Sequence, residues 1–231
     1  MKVLILGDGL LGTEIQKQTG WDYISRDKDG FDITNPDSYF DFFIWGKDRY
    51  DTIINCIANT DTYSDDKQKH WDVNYKGVID LVDFCNEWKI KLVQISTEFV
   101  YSNNPLPPTE KDIPMHGKNW YSYTKLLADG YVEAKSSNYL ICRCLHKPID
   151  FNHPYIWDVQ TSGDTVDKIS KLIIKLINNN AEGIFNVGTG SKTLNNIQLN
   201  PGTTIIAPPP YVPKDTRMNL NKLNLFIELN E

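Results

Sequence analysis

The sequence predicts an α/β protein built on a doubly wound parallel sheet. Residues 2–6 read KVLIL, a continuous apolar run that is typical of a strand buried on both faces of such a sheet. A glycine-rich turn and a helical stretch ending near Thr19 follow this run directly. Apolar strand segments and amphipathic helical segments then alternate up to residue 144, which is the pattern of parallel strands connected by helices.

The turn after the first strand is a GxGxxG motif formed by Gly7, Gly9 and Gly12. In nucleotide-binding turns the first glycine allows the tight bend, the second lets the backbone approach a pyrophosphate, and the third lets the helix pack closely. The helix N-terminus, which includes Leu10 and Leu11, offers N–H donors to the anion. Because the motif lies between a strand and a helix, we interpret it as a dinucleotide-binding turn rather than an ordinary glycine turn.

The second predicted strand, residues 22–25, is followed by Arg26 and then Asp27. An acid at this place holds the ribose 2′-hydroxyl of NAD, whereas an arginine suits the 2′-phosphate of NADP. Arg26 comes first and favours NADPH, with NADH as the alternative. The simplest competing interpretation is that Arg26 and Lys28 are only solvated loop charges. Asp32 and Ile33 follow at a place suited to border the adenine.

The third predicted strand, residues 50–58, ends in Cys56, Ile57 and Ala58. In a doubly wound sheet the end of this strand lies beside the cofactor, so these three residues are predicted to contact it. Residues 71–88 carry apolar side chains at helical spacing, which predicts a helix packed on the core.

The fourth predicted strand, residues 91–97, ends in Ser96 and Thr97, and a later helix carries Tyr121 and Lys125. Residues four apart share one face of a helix. An ammonium beside a phenol lowers the phenol's pKa from ~10, and roughly 4 kcal/mol would bring it towards neutrality. Thr97 would hold the carbonyl oxygen that receives the proton. A YxxxK match alone is common, so this proton-donor hypothesis depends on the surrounding motifs.

The pattern changes after the fifth predicted strand, residues 139–144. Residues 145–163 are irregular, and a helix with one apolar face and a short strand follow them. We therefore predict a dinucleotide-binding domain over residues 1–145. Residues 146–231 are predicted to form a small lobe, with segments that return to the main sheet.

Composition and charge narrow the function further. The 231 residues carry a net charge of -6 and no basic run, which gives no electrostatic footprint for nucleic acid. No apolar run approaches the ~20 residues that a membrane span needs. The four cysteines lack CxxC spacing and the four histidines lack ligand spacing, so free thiols and no metal site are expected. A cytoplasmic protein without nucleic-acid or membrane partners is the expectation.

Taken together, these motifs resemble the extended short-chain dehydrogenase/reductases, and among them the dTDP-4-dehydrorhamnose reductases. Besides the glycine turn, the shared motifs are residues 32–34, 55–58, 73–74, 93–101, 120–126, 165–167, 183–187 and 213–220. The resemblance implies a Rossmann-type fold with a shortened C-terminal substrate lobe, and a cytoplasmic oxidoreductase of deoxysugar biosynthesis. By analogy, it also implies a homodimer paired through the helices at 71–88 and 121–135.

The resemblance implies a mechanism in which Thr97, Tyr121 and Lys125 are the catalytic residues. NADPH, or NADH, would deliver hydride to the C4 ketone of a nucleotide-linked 4-keto-6-deoxysugar. Tyr121 would protonate the resulting alkoxide while Thr97 holds the same oxygen. Lys125 would bind the nicotinamide ribose and lower the pKa of Tyr121. The substrate would contact Thr97 and Tyr121. It would also contact Glu98, Phe99 and Arg143.

Several departures from the family leave alternatives open. Related epimerase-reductases carry a cysteine where this chain has Phe99, so we expect reduction without epimerisation. The chain is shorter than typical members between Arg143 and Asp164, in the substrate lobe; Arg143 and Lys147 are candidate cations there, although a structural pairing of Arg143 is an equal alternative. The runner-up function is a non-catalytic NADP-binding regulatory protein of this fold. A sugar-nucleotide epimerase or dehydratase is the third, with Glu98 as the acidic residue after the threonine.

Overall fold

A computed structural model describes residues 1–39, 50–62, 64–102, 104–198, 200 and 202–230. The strands are β1 Val3–Leu6, β2 Asp22–Ile24, β3 Thr52–Asn55, β4 Lys91–Thr97, β5 Tyr139–Cys144, β6 His146–Lys147, β7 Tyr155–Trp157, β8 Gln160–Thr161, β9 Asp164–Thr165, β10 Gly183–Val187, β11 Lys192–Thr193 and β12 Thr204–Ile206. The α-helices wholly within the described residues are α1 Leu10–Thr19, α2 Arg26–Asp29, α3 Lys67–Trp71, α4 Gly77–Trp88, α5 Trp120–Lys135, α6 Val166–Asn178 and α7 Asn221–Glu228. A π-helical turn, Asp72–Lys76, joins α3 to α4, and short 3-10 turns occupy Glu98–Val100 and Leu194–Asn196.

The main sheet has six parallel strands in the order β10-β5-β4-β3-β1-β2. From β1 the chain moves first to β2 on one side and then to β3 on the other, so the strand order reverses at β1. The predicted doubly wound, Rossmann-type fold is therefore confirmed, and the reversal marks the edge where such sheets bind nucleotides.

Helices cover both faces of this sheet. The neighbours Leu4 and Ile5 on β1 belong to two different apolar clusters, because successive side chains of a strand point to opposite faces. Ile5 packs in the cluster of α1 and α6, which includes Ile173, while Leu4 packs in the cluster of α4 and α5, which includes Val132. Burial on both faces explains why the first strand reads as an uninterrupted apolar run.

After β5 the chain leaves the main sheet and later returns to it. α6 packs against α1, and β10 pairs in parallel with β5 at the sheet edge. Between and beyond these elements the short strands form three two-stranded pairs, β6 with β9, β7 with β12 and β8 with β11. A separate apolar cluster, which includes Ile156, Val159 and Leu194, holds these pairs together as a small C-terminal lobe.

The described part of the chain has neither a membrane-spanning helix nor a cluster of metal-ligating side chains. No helix within it is both long enough and apolar enough to cross a lipid bilayer. It also contains no group of three or more histidine, cysteine, aspartate or glutamate side chains arranged to hold a metal ion. All four cysteines are free thiols.

The glycine turn after β1 depends on two close contacts. Gly7 has φ +97°, a left-handed conformation that favours glycine, and its N–H donates to the carbonyl of Ile24 at 2.8 Å. A Cβ on Gly12 would lie only 2.0 Å from the carbonyl oxygen of Gly7. α1 can therefore approach the end of β1 only because residue 12 has no side chain.

We predict that Gly12→Ala destabilises the protein, because the new methyl group overlaps backbone that cannot move freely. The expected loss in the free energy of unfolding is about 1–3 kcal/mol, measured by denaturant titration. Gly130→Ala is the matched control, since Gly130 lies on α5 with nothing within 4 Å of its would-be Cβ. That control should gain about 0.5–1 kcal/mol from lower backbone entropy in the unfolded chain. Equal effects of the two substitutions would contradict the close-packing explanation.

Candidate active site

A cleft of about 530 Å³ lies across the carboxyl ends of the central strands. Its lining residues come from the glycine turn, from the segments after β3, β4 and β5, from α5 and from the lobe: Gly9, Leu10, Leu11, Cys56, Ile57, Ala58, Thr60, Thr62, Ile95, Ser96, Thr97, Phe99, Tyr121, Lys125, Cys144, Leu145, His146, Lys147, Pro148 and Trp157. This volume falls within the range of small-molecule sites, and the position is the usual one for open α/β sheets.

The three residues predicted to be catalytic, Thr97, Tyr121 and Lys125, all line this cleft. Thr97 is the last residue of β4, and its hydroxyl accepts a hydrogen bond from the backbone N–H of Phe99 at 3.2 Å. The rings of Phe99 and Tyr121 meet edge to face with their centroids 6.3 Å apart. The turn after β4 therefore holds the threonine hydroxyl and the aromatic partner of Tyr121 together.

The electrostatics of Tyr121 differ from the expectation that its pKa is lowered. Burial raises the pKa of Tyr121 to about 12, because the phenolate loses hydration, while a hydrogen bond with Thr97 opposes the shift. The side chains of Cys144, Asp129 and Glu98 raise the pKa further. The tyrosine consequently holds its proton at neutral pH.

Lys125 is almost completely buried, with 2% of its surface exposed. Its Nζ donates a hydrogen bond of 2.5 Å to the carbonyl oxygen of Ile95 on β4. Burial lowers the pKa of Lys125, and the carboxylate of Asp129, one helical turn further along α5, is the first of the groups that oppose this shift. The ammonium is thus hydrogen-bonded to the backbone of the central sheet.

Some of the residues predicted to hold the cofactor line the cleft, and others lie outside its lining. Gly9, Leu10 and Leu11 line the cleft on one side, and the segment 56–58 lines it beside them. A Cβ added to Gly9 would have no atom within 4 Å, so protein packing does not explain a glycine there. Open space over this backbone, at the N-terminus of α1, fits the close approach of a dinucleotide pyrophosphate. Gly7 and Gly12 lie behind this surface and shape the turn.

Arg26, Asp32 and Ile33 lie outside the residues that line the cleft. Nη2 of Arg26 is 3.2 Å from Oδ2 of Asp32, and 76% of the arginine side chain is exposed. Burial alone would raise the pKa of Asp32, but hydrogen bonds from the hydroxyl and N–H of Thr34, together with Arg26, lower it. Ile33 is 2% exposed and packs in the core under Gly77, where its carbonyl would lie 2.8 Å from an added Cβ. Of these three side chains, those of Arg26 and Asp32 are polar and partly exposed, whereas that of Ile33 belongs to the core.

Glu98, predicted as a substrate contact, is fully buried. Its carboxylate accepts hydrogen bonds from the hydroxyls of Thr161 and Thr216 and, at 3.3 Å, from the backbone N–H of Ser162. Burial raises the pKa of Glu98 to about 7, because these hydrogen bonds and Lys147 offset the lost hydration only in part. The carboxyl group therefore connects the end of β4 to the lobe instead of facing the cleft.

Arg143, the other polar residue predicted to contact substrate, is also outside the cleft lining. It is 3% exposed, its Nε donates to Oδ2 of Asp129 at 2.9 Å, and its Nη1 donates to the hydroxyl of Tyr101. The sequence left two alternatives for Arg143, a contact with substrate or a structural ion pair. The structure shows the ion pair, with Asp129. Phe99, the third predicted substrate contact, does line the cleft.

Several cleft residues carry no sequence signal of their own. Thr60 and Thr62 follow β3, and His146, Pro148 and Trp157 belong to the irregular region after β5. Only their position in the sequence could have indicated these residues, because residues that follow the carboxyl ends of central strands meet at the edge of the sheet where the cleft lies.

Asn74, on the π-helical turn, positions the loop after β3. Its Oδ1 accepts from the backbone N–H of Asn59 at 2.7 Å, and its Nδ2 donates to the carbonyl of the same residue at 3.0 Å. His70 approaches the same loop, with Nε2 2.9 Å from the carbonyl oxygen of Asp61. Asn74 therefore acts on the cleft wall through the backbone of this loop.

The fold and the position of the cleft are those of the extended short-chain dehydrogenase/reductases, a class of oxidoreductases. Residues 1–145 match the model of the RmlD substrate binding domain family, and the chain belongs to that family. No curated protein matches the chain.

Solved structures of similar proteins share the fold over nearly the whole chain. A dTDP-4-dehydrorhamnose reductase from Clostridium acetobutylicum is 25% identical, with 99% of this chain and 92% of that chain covered and a TM-score of 0.78. The dTDP-4-dehydrorhamnose reductase from Bacillus anthracis, solved with NADP, is 23% identical, with 97% and 92% covered and a TM-score of 0.81. The UDP-glucose 4-epimerase of Thermus thermophilus, solved with NAD, is 17% identical, with 97% and 92% covered and a TM-score of 0.77.

We predict that Glu98 makes the protein less stable as the pH rises from about 4.5 to about 7. In the unfolded chain this carboxyl loses its proton near its ordinary pKa of 4.5, whereas the folded protein keeps the proton up to about pH 7. Between these values the folded state binds more protons, so the free energy of unfolding falls by up to about 3 kcal/mol.

The measurement is the free energy of unfolding against pH for the wild type and for Glu98→Gln, which keeps the shape but has no charge to lose. The difference between the two proteins should grow with pH, in favour of the variant, and level off above pH 7. A constant difference across this range would show that Glu98 does not titrate in this way.

Proposed function

We propose that the chain is an NADPH-dependent reductase that acts on the C4 ketone of a nucleotide-linked 4-keto-6-deoxysugar. The observation that carries the proposal is that Thr97, Tyr121 and Lys125 line one cleft together with the glycine turn. In this proposal residues 1–145 are the dinucleotide-binding domain. Residues 146–231 supply the substrate lobe and return α6 and β10 to the main sheet.

Tyr121 is the proton donor in this reaction. Reduction of a ketone requires an acid that is still protonated at working pH, and a pKa of about 12 meets that requirement. A nascent alkoxide is a stronger base than a phenolate, so proton transfer from the tyrosine is downhill, and the raised pKa of Tyr121 makes that driving force smaller than for an ordinary phenol. The hydroxyl of Thr97, at the neighbouring strand end, holds the same oxygen and stabilises its developing charge.

Lys125 binds the nicotinamide ribose and contributes positive charge to the site. Its ammonium has three donors, of which the carbonyl of Ile95 accepts one, so donors remain for ribose hydroxyls. Burial behind the cleft wall strengthens the field of this charge, because the local dielectric is low.

The cofactor assignment rests on the glycine turn and on the end of β2. When bound, NADPH supplies the hydride that the ketone accepts. The open backbone at Gly9 receives its pyrophosphate, and the exposed guanidinium of Arg26 is available to a 2′-phosphate. Asp32 lies beside Arg26 and can accept from a ribose hydroxyl, which keeps NADH as the alternative cofactor.

The position of Glu98 argues against a dehydratase. An acid that acts on the sugar must reach it, whereas this carboxyl is fully buried and holds Thr161, Ser162 and Thr216. The small lobe, by contrast, favours one second candidate, a regulatory protein that binds NADP without turnover. The catalytic residues count against that candidate, because a protein that only binds has no chemical need for all three.

We predict that Tyr121→Phe lowers kcat for NADPH oxidation with dTDP-4-dehydrorhamnose by roughly 10²- to 10⁴-fold, since the proton donor is lost. NADPH binding, followed by fluorescence titration, should be nearly unchanged. Tyr123→Phe is the matched control, because Tyr123 packs against the rings of Trp120 and His116 and is not among the cleft-lining residues. Full activity in Tyr121→Phe would overturn the assigned role. NADPH binding by the wild type without consumption of any keto-sugar would favour the regulatory candidate.

A further inference from the structure

Lys147 and its neighbour His146 form the part of the cleft wall that the lobe contributes. Both residues line the cleft and are half-buried. They lie on β6, whose pairing with β9 places His146 opposite Asp164 and Lys147 opposite Thr165. Backbone pairing therefore fixes the positions of these two basic residues, which follow β5 and not the glycine turn after β1.

The ammonium of Lys147 has no hydrogen bond or ion pair with any residue that the structure describes. Its recorded contact is with the ring of Phe151, whose centroid lies 5.2 Å from Nζ. The partly buried Leu145 and Trp157 belong to the apolar cluster around it. Burial lowers the pKa of Lys147, and Glu98 opposes that shift only in part. Among the described residues, this cation in an apolar wall thus has Glu98 as an electrostatic neighbour but no hydrogen-bonded or ion-paired partner.

Glu98, the acidic group that acts on this charge, does not neutralise it. The oxygens of Glu98 already accept from Thr161, Thr216 and the N–H of Ser162, and its pKa of about 7 leaves it partly protonated at neutral pH. His146 adds no charge, because burial and then the charge of Lys147 lower its pKa to about 4. Its Nδ1 is buried and has no hydrogen-bond partner in the described structure.

We propose that Lys147, with the neutral imidazole of His146 beside it, is a subsite for an anionic oxygen group of the substrate. An unpaired cation in an apolar wall costs free energy that a bound anion would offset, and the open cleft gives that anion a route to it. The inference rests on the proposed function, in which the ligand is a nucleotide-linked sugar. Such a ligand can supply the anion from its diphosphate or from a carboxylate on the sugar ring.

The test is isothermal titration of the full chain after it is saturated with NADP⁺, which keeps the cofactor site filled. The titrants are dTDP, UDP-glucose and UDP-glucuronic acid, and the variants are Lys147→Met, Lys147→Gln and Lys147→Arg. Lys171→Met is the matched control, because Lys171 is exposed on α6 and does not line the cleft. Because the replaced charge has no ion-paired partner among the described residues, the neutral variants should melt at the wild-type temperature or above it.

If the anion is the diphosphate, the neutral variants should bind dTDP roughly 10- to 100-fold more weakly, the usual loss for a charged hydrogen bond, while Lys147→Arg and Lys171→Met keep most of the affinity. If it is a sugar carboxylate, dTDP and UDP-glucose should bind as before, and only UDP-glucuronic acid should lose affinity.

Unchanged affinity for all three ligands, or no binding of any of them by a wild type that binds NADP⁺, would overturn the subsite. A wild type that fails to bind NADP⁺ would instead contradict the proposed function, and the same titrations without cofactor would still decide the role of Lys147.

Discussion

The hydrogen bond from Nζ of Lys125 to the carbonyl of Ile95 is the interaction on which the site depends. It holds α5 against β4 at the point where that strand ends in Thr97. Tyr121 lies one helical turn before Lys125, so the same anchor places the phenol beside the threonine hydroxyl. A buried ammonium loses most of its hydration, and the contacts with Ile95 and the nearby charge of Asp129 offset part of that cost. The three side chains proposed to be catalytic are thereby fixed to a fully buried strand of the sheet.

The buried carboxyl of Glu98 joins this rigid sheet edge to the lobe. It follows Thr97 directly and accepts hydrogen bonds from Thr161 and Thr216, which lie far from it in the chain. Glu98 therefore links the two surfaces between which a substrate would lie. The surface of the sheet offers the hydroxyl groups of Thr97 and Tyr121, and the surface of the lobe offers the ammonium of Lys147. The arrangement suits a polar, anionic ligand better than an apolar one.

The parts of the site that sequence could predict are those set by local spacing. The glycine turn and the Tyr121–Lys125 pair follow from fixed intervals along one strand–turn–helix unit or one helix face. The partners of Glu98 and Arg143 could not be predicted in this way, because they come from distant segments and their burial depends on how the lobe packs. The same holds for the pKa of Tyr121, which the chemistry of the pair lowers but desolvation in the folded protein raises. His146 and Trp157 come from a region without periodicity, so only the fold brings them to the cleft.

The central claim is that this cleft transfers hydride from NADPH to the C4 carbon of a nucleotide-linked keto-sugar. The most direct test uses NADPH deuterated at both C4 positions of the nicotinamide, with dTDP-4-dehydrorhamnose as substrate. Mass spectrometry and NMR of the product should show one deuterium, bound to C4 of the sugar, for each cofactor oxidised. Oxidised cofactor without deuterium in the sugar, or deuterium at any other carbon, would contradict the claim.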